Sequence, residues 1–167
     1  RPTSGMTTLA YYSLARSQRQ GANVVIIDSL SHLDMNTAAT SGANLENLVL
    51  VEIEQLPLLL NLVRELLHSG VVNYLLVNLL GLRQTTLNLR LLLNNLHSSD
   101  CALVLLLPQS VQSDIASLRL QIQRQNWLRQ NGDIIGCLSS VKVEKQRFGK
   151  TGTETLLLLP FEREVWV

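Results

Sequence analysis

Charge is scarce in this chain, and neither sign prevails. Charged residues make up 16% of its 167 residues, and 14 Lys and Arg stand against 13 Asp and Glu, for a net charge of +1. A dedicated nucleic-acid binder carries a clearer basic excess, so the bulk charge gives no support for DNA binding. Cysteine is rare as well. Cys101 and Cys137 sit beside or within apolar stretches and read as buried free thiols of a cytosolic protein. Aromatic residues reach only 4%, and Trp127 and Trp166 are too far apart in the sequence to make a base-stacking platform, so they read as packing or interface anchors. Long apolar runs are missing too. Leu56–Leu60, Leu103–Leu107 and Leu156–Leu159 are short and interrupted, so none reads as a transmembrane helix and no membrane partner is expected. There is no visible signal peptide, internal repeat, linker or low-complexity tract. The first residue is Arg1 and not Met, so a missing N-terminal segment is expected.

What is present is a Leu-heavy chain, 46% hydrophobic and long enough for one domain with a real core. The spacing predicts a helix over Thr7–Arg19, with Leu9, Ala10, Tyr12, Leu14 and Ala15 on its apolar face and Gly21 ending it. "NVVIID" (Asn23–Asp28) is a continuous apolar run, the mark of a strand buried on both faces. A second strand is expected over Leu45–Ile53. A helix follows in "EQLPLLLNLVRELLHSG", lined by Leu56, Leu59, Leu60, Val63 and Leu67, with Pro57 in its first turn and Ser69-Gly70 as its stop. A third strand (Asn73–Leu79), a helix (Thr85–Asp100) and a fourth strand (Ala102–Pro108) continue the alternation, which implies a mainly parallel sheet. Past Pro108 the pattern becomes three successive strands, with turns at Asn131-Gly132 and between Gly149 and Gly152. The fold class read from this is α/β, a parallel sheet flanked by helices and closed by a β-meander, in a single domain over residues 1–167.

Three stretches carry a resemblance. "SGMTTLAYYSLARSQRQGANVVIIDSLSHLD" resembles the phosphate loop, first helix and next strand of the RecA-family ATPase core. "NLENLVLVEIEQLPLLLNLVRELLHSGVVNYLLVNLLGL" is similar to the segment that carries the second nucleotide motif. "VKVEKQRF" is similar to the family's closing strand, of the form VKVVKNK. The resemblance implies a RecA-like core with its nucleotide site at Gly5, Met6, Thr7, Thr8, Leu30, Asn78 and Gln109.

Phosphoryl transfer needs a cation on the phosphates, a Mg²⁺ site and a base to position water. Where the family has the loop lysine this chain has Met6, whose thioether carries no charge. Where the family has the water-activating acid, "IDSLSHLD" places Leu30, which neither accepts a proton nor orients water. Where the family has the Mg²⁺-side aspartate, "LLVNLL" places the neutral Asn78. The sensing residue is kept as Gln109. Three missing roles imply a pseudo-ATPase and not an enzyme, with no cofactor. Gly5 and Thr7 remain, which leaves weak ATP binding at the helix N-terminus open. The family's two DNA-binding loops are matched only by "LGLRQTT" and "SVQSDIA", both short, with Arg83 and Arg90 the only cations near the first.

The resemblance also suggests that Lys145 and Arg147, two apart on one strand and so on one face, form a trans interface that reaches a partner subunit's ATP. The alternative is a pair of exposed edge-strand cations. His32, His68 and His97 lack metal-ligand spacing, and His68 reads as a helix-dipole partner. Ser29, Ser31 and His32 are too close in sequence to face one another as nucleophile and base, and no Gly-x-Ser-x-Gly turn is present.

The expected function is that of a non-catalytic RecA-like accessory protein. It would act through protein–protein contacts in DNA repair, recombination or the DNA-damage (SOS) response, as recombinase paralogues and the ImuA-like translesion-synthesis factors do. Its expected partners are a RecA-like recombinase or a DNA-repair polymerase complex, in a homo- or hetero-oligomer, in the cytoplasm near the nucleoid. The competing expectation is an ATP-binding, DNA-binding recombination mediator.

Overall fold

Two five-residue strands, buried along their whole length, set the architecture of residues 10–115. They are β1 (Val24–Asp28) and β3 (Tyr74–Asn78). The computed structural model describes residues 4–29, 33–80, 96, 99–108, 111 and 116–160. Over these the chain divides into two compact units, residues 10–115 and residues 1–9 with 116–167.

In the first of these units the strands β2 (Leu48–Glu52) and β4 (Ala102–Leu106) flank the buried pair. The sheet has the order β2-β1-β3-β4, and all its pairings are parallel. The helix α3 (Leu56–Ser69) covers one face: Leu59, Val63 and Leu67 pack with Val25, Ile27 and Leu75 in one apolar cluster. Pro57 stands in its first turn, and Gly70 ends it in the left-handed region at φ 66°. The helix α1 (Met6–Arg19) serves the alternate strand residues, because the Tyr74 hydroxyl meets Ser13 and lies 3.5 Å from the Ala10 carbonyl oxygen.

Three details differ from the sequence expectation. The buried face of α1 holds Ala10, Tyr11, Leu14 and Ala15, and Tyr12 is exposed, because Tyr11 and not Tyr12 follows the helical spacing of the other three. The second strand starts at Leu48, since Asn44 caps a short 3₁₀ turn, Leu45–Asn47, by accepting from the Glu46 N–H. A six-residue helix, α2 (Met35–Thr40), lies between β1 and β2. Asp34 caps it, accepting from Asn36 N at 3.0 Å and from Thr37 Oγ1 at 2.7 Å. Of the helix expected over 85–100, only Leu96, Ser99 and Asp100 are among the described residues.

The second unit is the expected meander. Its strands β5 (Leu118–Gln130), β6 (Asp133–Gln146) and β7 (Glu154–Pro160) pair antiparallel in the order β5-β6-β7. Asn131 and Gly132 turn the first hairpin with φ 51° and 90°, the geometry that the Asn-Gly pair favours.

The meander corrects the strand reading of Lys145 and Arg147. β6 stops at Gln146, so Arg147 belongs to the following turn and does not share a strand face with Lys145. Its backbone N–H donates instead to the Ser117 carbonyl at 2.9 Å. Nor is β6 an edge. It is the central strand, paired to β7 as far as Lys142. A register shift puts Lys145 opposite Arg119, and Glu144 relieves that meeting of cations by pairing with Arg119 Nε at 2.8 Å. Among the described residues no helix is long and apolar enough to cross a membrane.

Candidate functional site

The path of the chain through the parallel sheet defines a place for chemistry. From β1 it moves to β2 on one side, then crosses back to β3 on the other. The carboxyl ends of β1 and β3 therefore flank the point where the strand order reverses, the position at which open α/β sheets place their ligands. The polar residues Asp28, Ser29 and Asn78 stand there, each only 2% exposed.

These residues satisfy one another. Asn78 Nδ2 donates to Asp28 Oδ1 at 2.8 Å, and the Leu33 N–H donates to Asp28 Oδ2 at the same distance. Asn78 Oδ1 accepts from the Leu80 N–H at 3.2 Å, which fixes the orientation of the amide. Ser29 Oγ donates to the Asn78 carbonyl at 2.7 Å. Two carboxylates at this spacing would need a cation or a shared proton, whereas a carboxylate and an amide need neither.

One hydroxyl nearby is left out. Tyr11, fully buried, finds no hydrogen-bond partner for its Oη among the described residues. Burial holds this phenol well above its usual range, and the carboxylates of Asp34 and Asp28 push it further the same way.

The loop residues belong to the other unit. Gly5 opens α1, accepting from the Leu9 N–H at 2.9 Å, and Met6, Thr7 and Thr8 form the first turn, half-buried. The end of the loop is seated on the meander. Ser139 Oγ of β6 donates to the Ser4 carbonyl at 2.8 Å. Gly5 has a φ of 82°, and a Cβ there would fall 2.1 Å from Cδ1 of the buried Leu159 of β7. No other residue fits this position without strain or repacking.

Lys145 lies near the end of β6 and Arg147 just beyond it. Leu30 and Gln109 lie outside the described residues, as do Arg83, Arg90, His32, His97 and Trp166. Sequence reasoning missed Asp28, although an acid closing a strand buried on both faces is itself a signal, because burying an unpaired charge is costly. It also missed Tyr11, whose position on the buried face hung on the phase of the helix.

The family model for the RecA N-terminal domain matches residues 1–84. The chain belongs to the RecA family. It is 25% identical over 182 residues to Protein RecA of Acholeplasma laidlawii, an alignment that covers 87% of this chain and 55% of that protein. It is equally similar to Protein RecA of Arthrospira platensis, covering 87% of this chain and 50% of the relative. A 75-residue stretch, 45% of the chain and 17% of the relative, is 39% identical to DNA repair protein recA homolog 3, mitochondrial, of Arabidopsis thaliana. The chain thus spans about half the length of the RecA proteins it matches over most of its own. The RecA match runs through Gly5–Thr8, Asp28 and Asn78 in one stretch, and so takes in both the loop and the switch-point pair.

Proposed function

We propose that this chain is a RecA-family protein without ATPase activity that works in DNA repair or recombination by binding other proteins. The observation that carries the reading is the Asp28–Asn78 hydrogen bond, 2.8 Å long and buried. At the place where the family puts a Mg²⁺-side carboxylate, it gives a pair whose donors and acceptors are matched without a metal ion. Met6 supports the same reading from the loop, since it brings no charge to a phosphate. These residues do not fit an ATP·Mg²⁺ complex poised for hydrolysis, and no catalytic step is derived through one.

The partners that suit the reading are a RecA-like recombinase or a repair polymerase complex, bound through surfaces that the fold retains. Translesion synthesis and the SOS response are settings of this kind. Cross-linking and pull-down from the source cell is expected to recover such a partner. Recovery of nucleic acid alone, together with micromolar binding of ATP·Mg²⁺ by calorimetry, would support the rival reading of an ATP-dependent DNA-binding mediator.

A further inference from the structure

The turn between β6 and β7 displays what most proteins bury. Phe148 is 90% exposed, the most exposed of the chain's large apolar side chains among the described residues. The turn that presents it is pinned at its base. Arg147 N donates to Ser117 O, Gly152 N to Val143 O and Val143 N to Thr153 O, each at 2.9 Å. The side chain of Gln146 lies against Gly149, leaving no room there for a Cβ. The outward ring is therefore held by a defined turn.

Its surroundings are cationic. Between Lys145 and Thr153 the chain reads KQRFGKTGT, with three cations and no acid. Glu144, just before it, is engaged with Arg119. The Arg147 guanidinium lies 5.6 Å from the Phe148 ring centroid, so cation and ring form one composite surface. The unit that carries this turn has nine Lys and Arg against five Asp and Glu, a net of +4 within a chain whose total is +1.

We propose that this turn binds single-stranded nucleic acid, with Phe148 stacking on a base and Lys145, Arg147 and Lys150 holding the adjacent phosphates. An unpaired base offers a flat apolar face beside regularly spaced negative charge, which is the complement of an exposed ring among cations. A bilayer suits the turn less well, because one ring among polar neighbours gives little apolar area to insert. This site does not depend on the reading proposed above, and it is independent of the switch-point residues.

The test is fluorescence anisotropy with a labelled oligo-dT strand, an abasic strand of equal length, and co-sedimentation with phosphatidylserine vesicles. The full chain is expected to bind oligo-dT with a salt-dependent affinity that Phe148→Ala weakens roughly tenfold and Phe148→Trp preserves. The Phe148→Ala loss is expected to vanish on the abasic strand. Arg147→Ala with Lys150→Ala is expected to lower the salt slope by about 1.4. Absence of oligo-dT binding, binding indifferent to Phe148→Ala, an equal Phe148→Ala loss on the abasic strand, or vesicle binding in place of strand binding would overturn the proposal. Circular dichroism of each variant separates loss of the site from loss of the fold.

Discussion

The parallel sheet and the meander treat their polar groups in opposite ways. In the sheet unit, Asp28, Ser29 and Asn78 are turned inward at the strand ends and bond to one another or to backbone. In the meander unit, cations, glutamines and a phenylalanine are turned outward, and the exposed Leu156 and Leu158 of β7 join them. Charge divides the same way. Residues 10–115 carry five Lys and Arg against eight Asp and Glu, a net of −3, while the other unit carries +4. A net charge of +1 thus conceals two surfaces of opposite sign, and the bulk figure is a poor guide to what either one binds.

The contrast breaks most sharply at Asn78. Asn78→Asp puts a second carboxylate within hydrogen-bond reach of Asp28 in a buried site, at an expected cost of about 3–5 kcal/mol in denaturant unfolding at neutral pH. The sign with pH follows. One carboxyl of such a pair has a raised folded-state pKa, so the variant recovers stability as pH falls and the pair shares a proton. Recovery with Mg²⁺ at neutral pH would show that the substitution had rebuilt a cation site. An unchanged unfolding midpoint would mean that the two residues do not form the pair described here.

Next in size is the loop seat. Gly5→Ala combines a left-handed backbone with a collision at Leu159, and a loss of about 2 kcal/mol is expected. Trimming the partner sharpens the point, since adding Leu159→Ala should cost less in the Gly5→Ala background than in the wild type. Strict additivity in that double-mutant cycle would contradict the contact.

At high pH the buried groups of the sheet unit are expected to lower stability. Burial raises Tyr11 and Tyr74 and pushes the Cys101 thiol up to about 11, against a slight lowering at Cys101 from a backbone hydrogen bond with Leu75. These groups stay protonated in the fold while the unfolded chain ionises. The unfolded state then binds fewer protons, and stability falls as pH rises from the ordinary thiol range through about 11. Thiol labelling at pH 8 should accordingly be slow at Cys101 until denaturant is added.

The smallest effects belong to the meander's outer surface. Phe148→Ala is expected to leave the melting midpoint within about 0.5 kcal/mol of wild type. Breaking Arg119–Glu144 should cost under about 1 kcal/mol. A large loss from either would mean that this surface is structural and not recognition surface.

How much of this was legible beforehand depends on how local the signal was. Continuous apolar runs located β1, β3 and β4, and the Asn131-Gly132 pair located the hairpin, because periodicity and turn chemistry act over a few residues. The helix α2 escaped notice because Met35–Thr40 is short and its main signal is one capping aspartate. Arg147 was placed on a strand because a register shift and a strand end are set by pairing across the sheet, which sequence spacing does not reveal. Within the site, Asn78 was legible through family resemblance. Its partner Asp28 was not, since the register that sets β1 beside β3 is a property of the folded sheet.

The central claim is that the pair at the switch point leaves no work for a metal-bound nucleotide. It is tested most directly by calorimetric titration of the wild-type chain with ATP in the presence and absence of Mg²⁺, with phosphate release followed in the same samples. The account predicts no Mg²⁺-dependent binding and no turnover. Stoichiometric Mg²⁺-dependent binding with phosphate release that Asn78→Ala abolishes would contradict it.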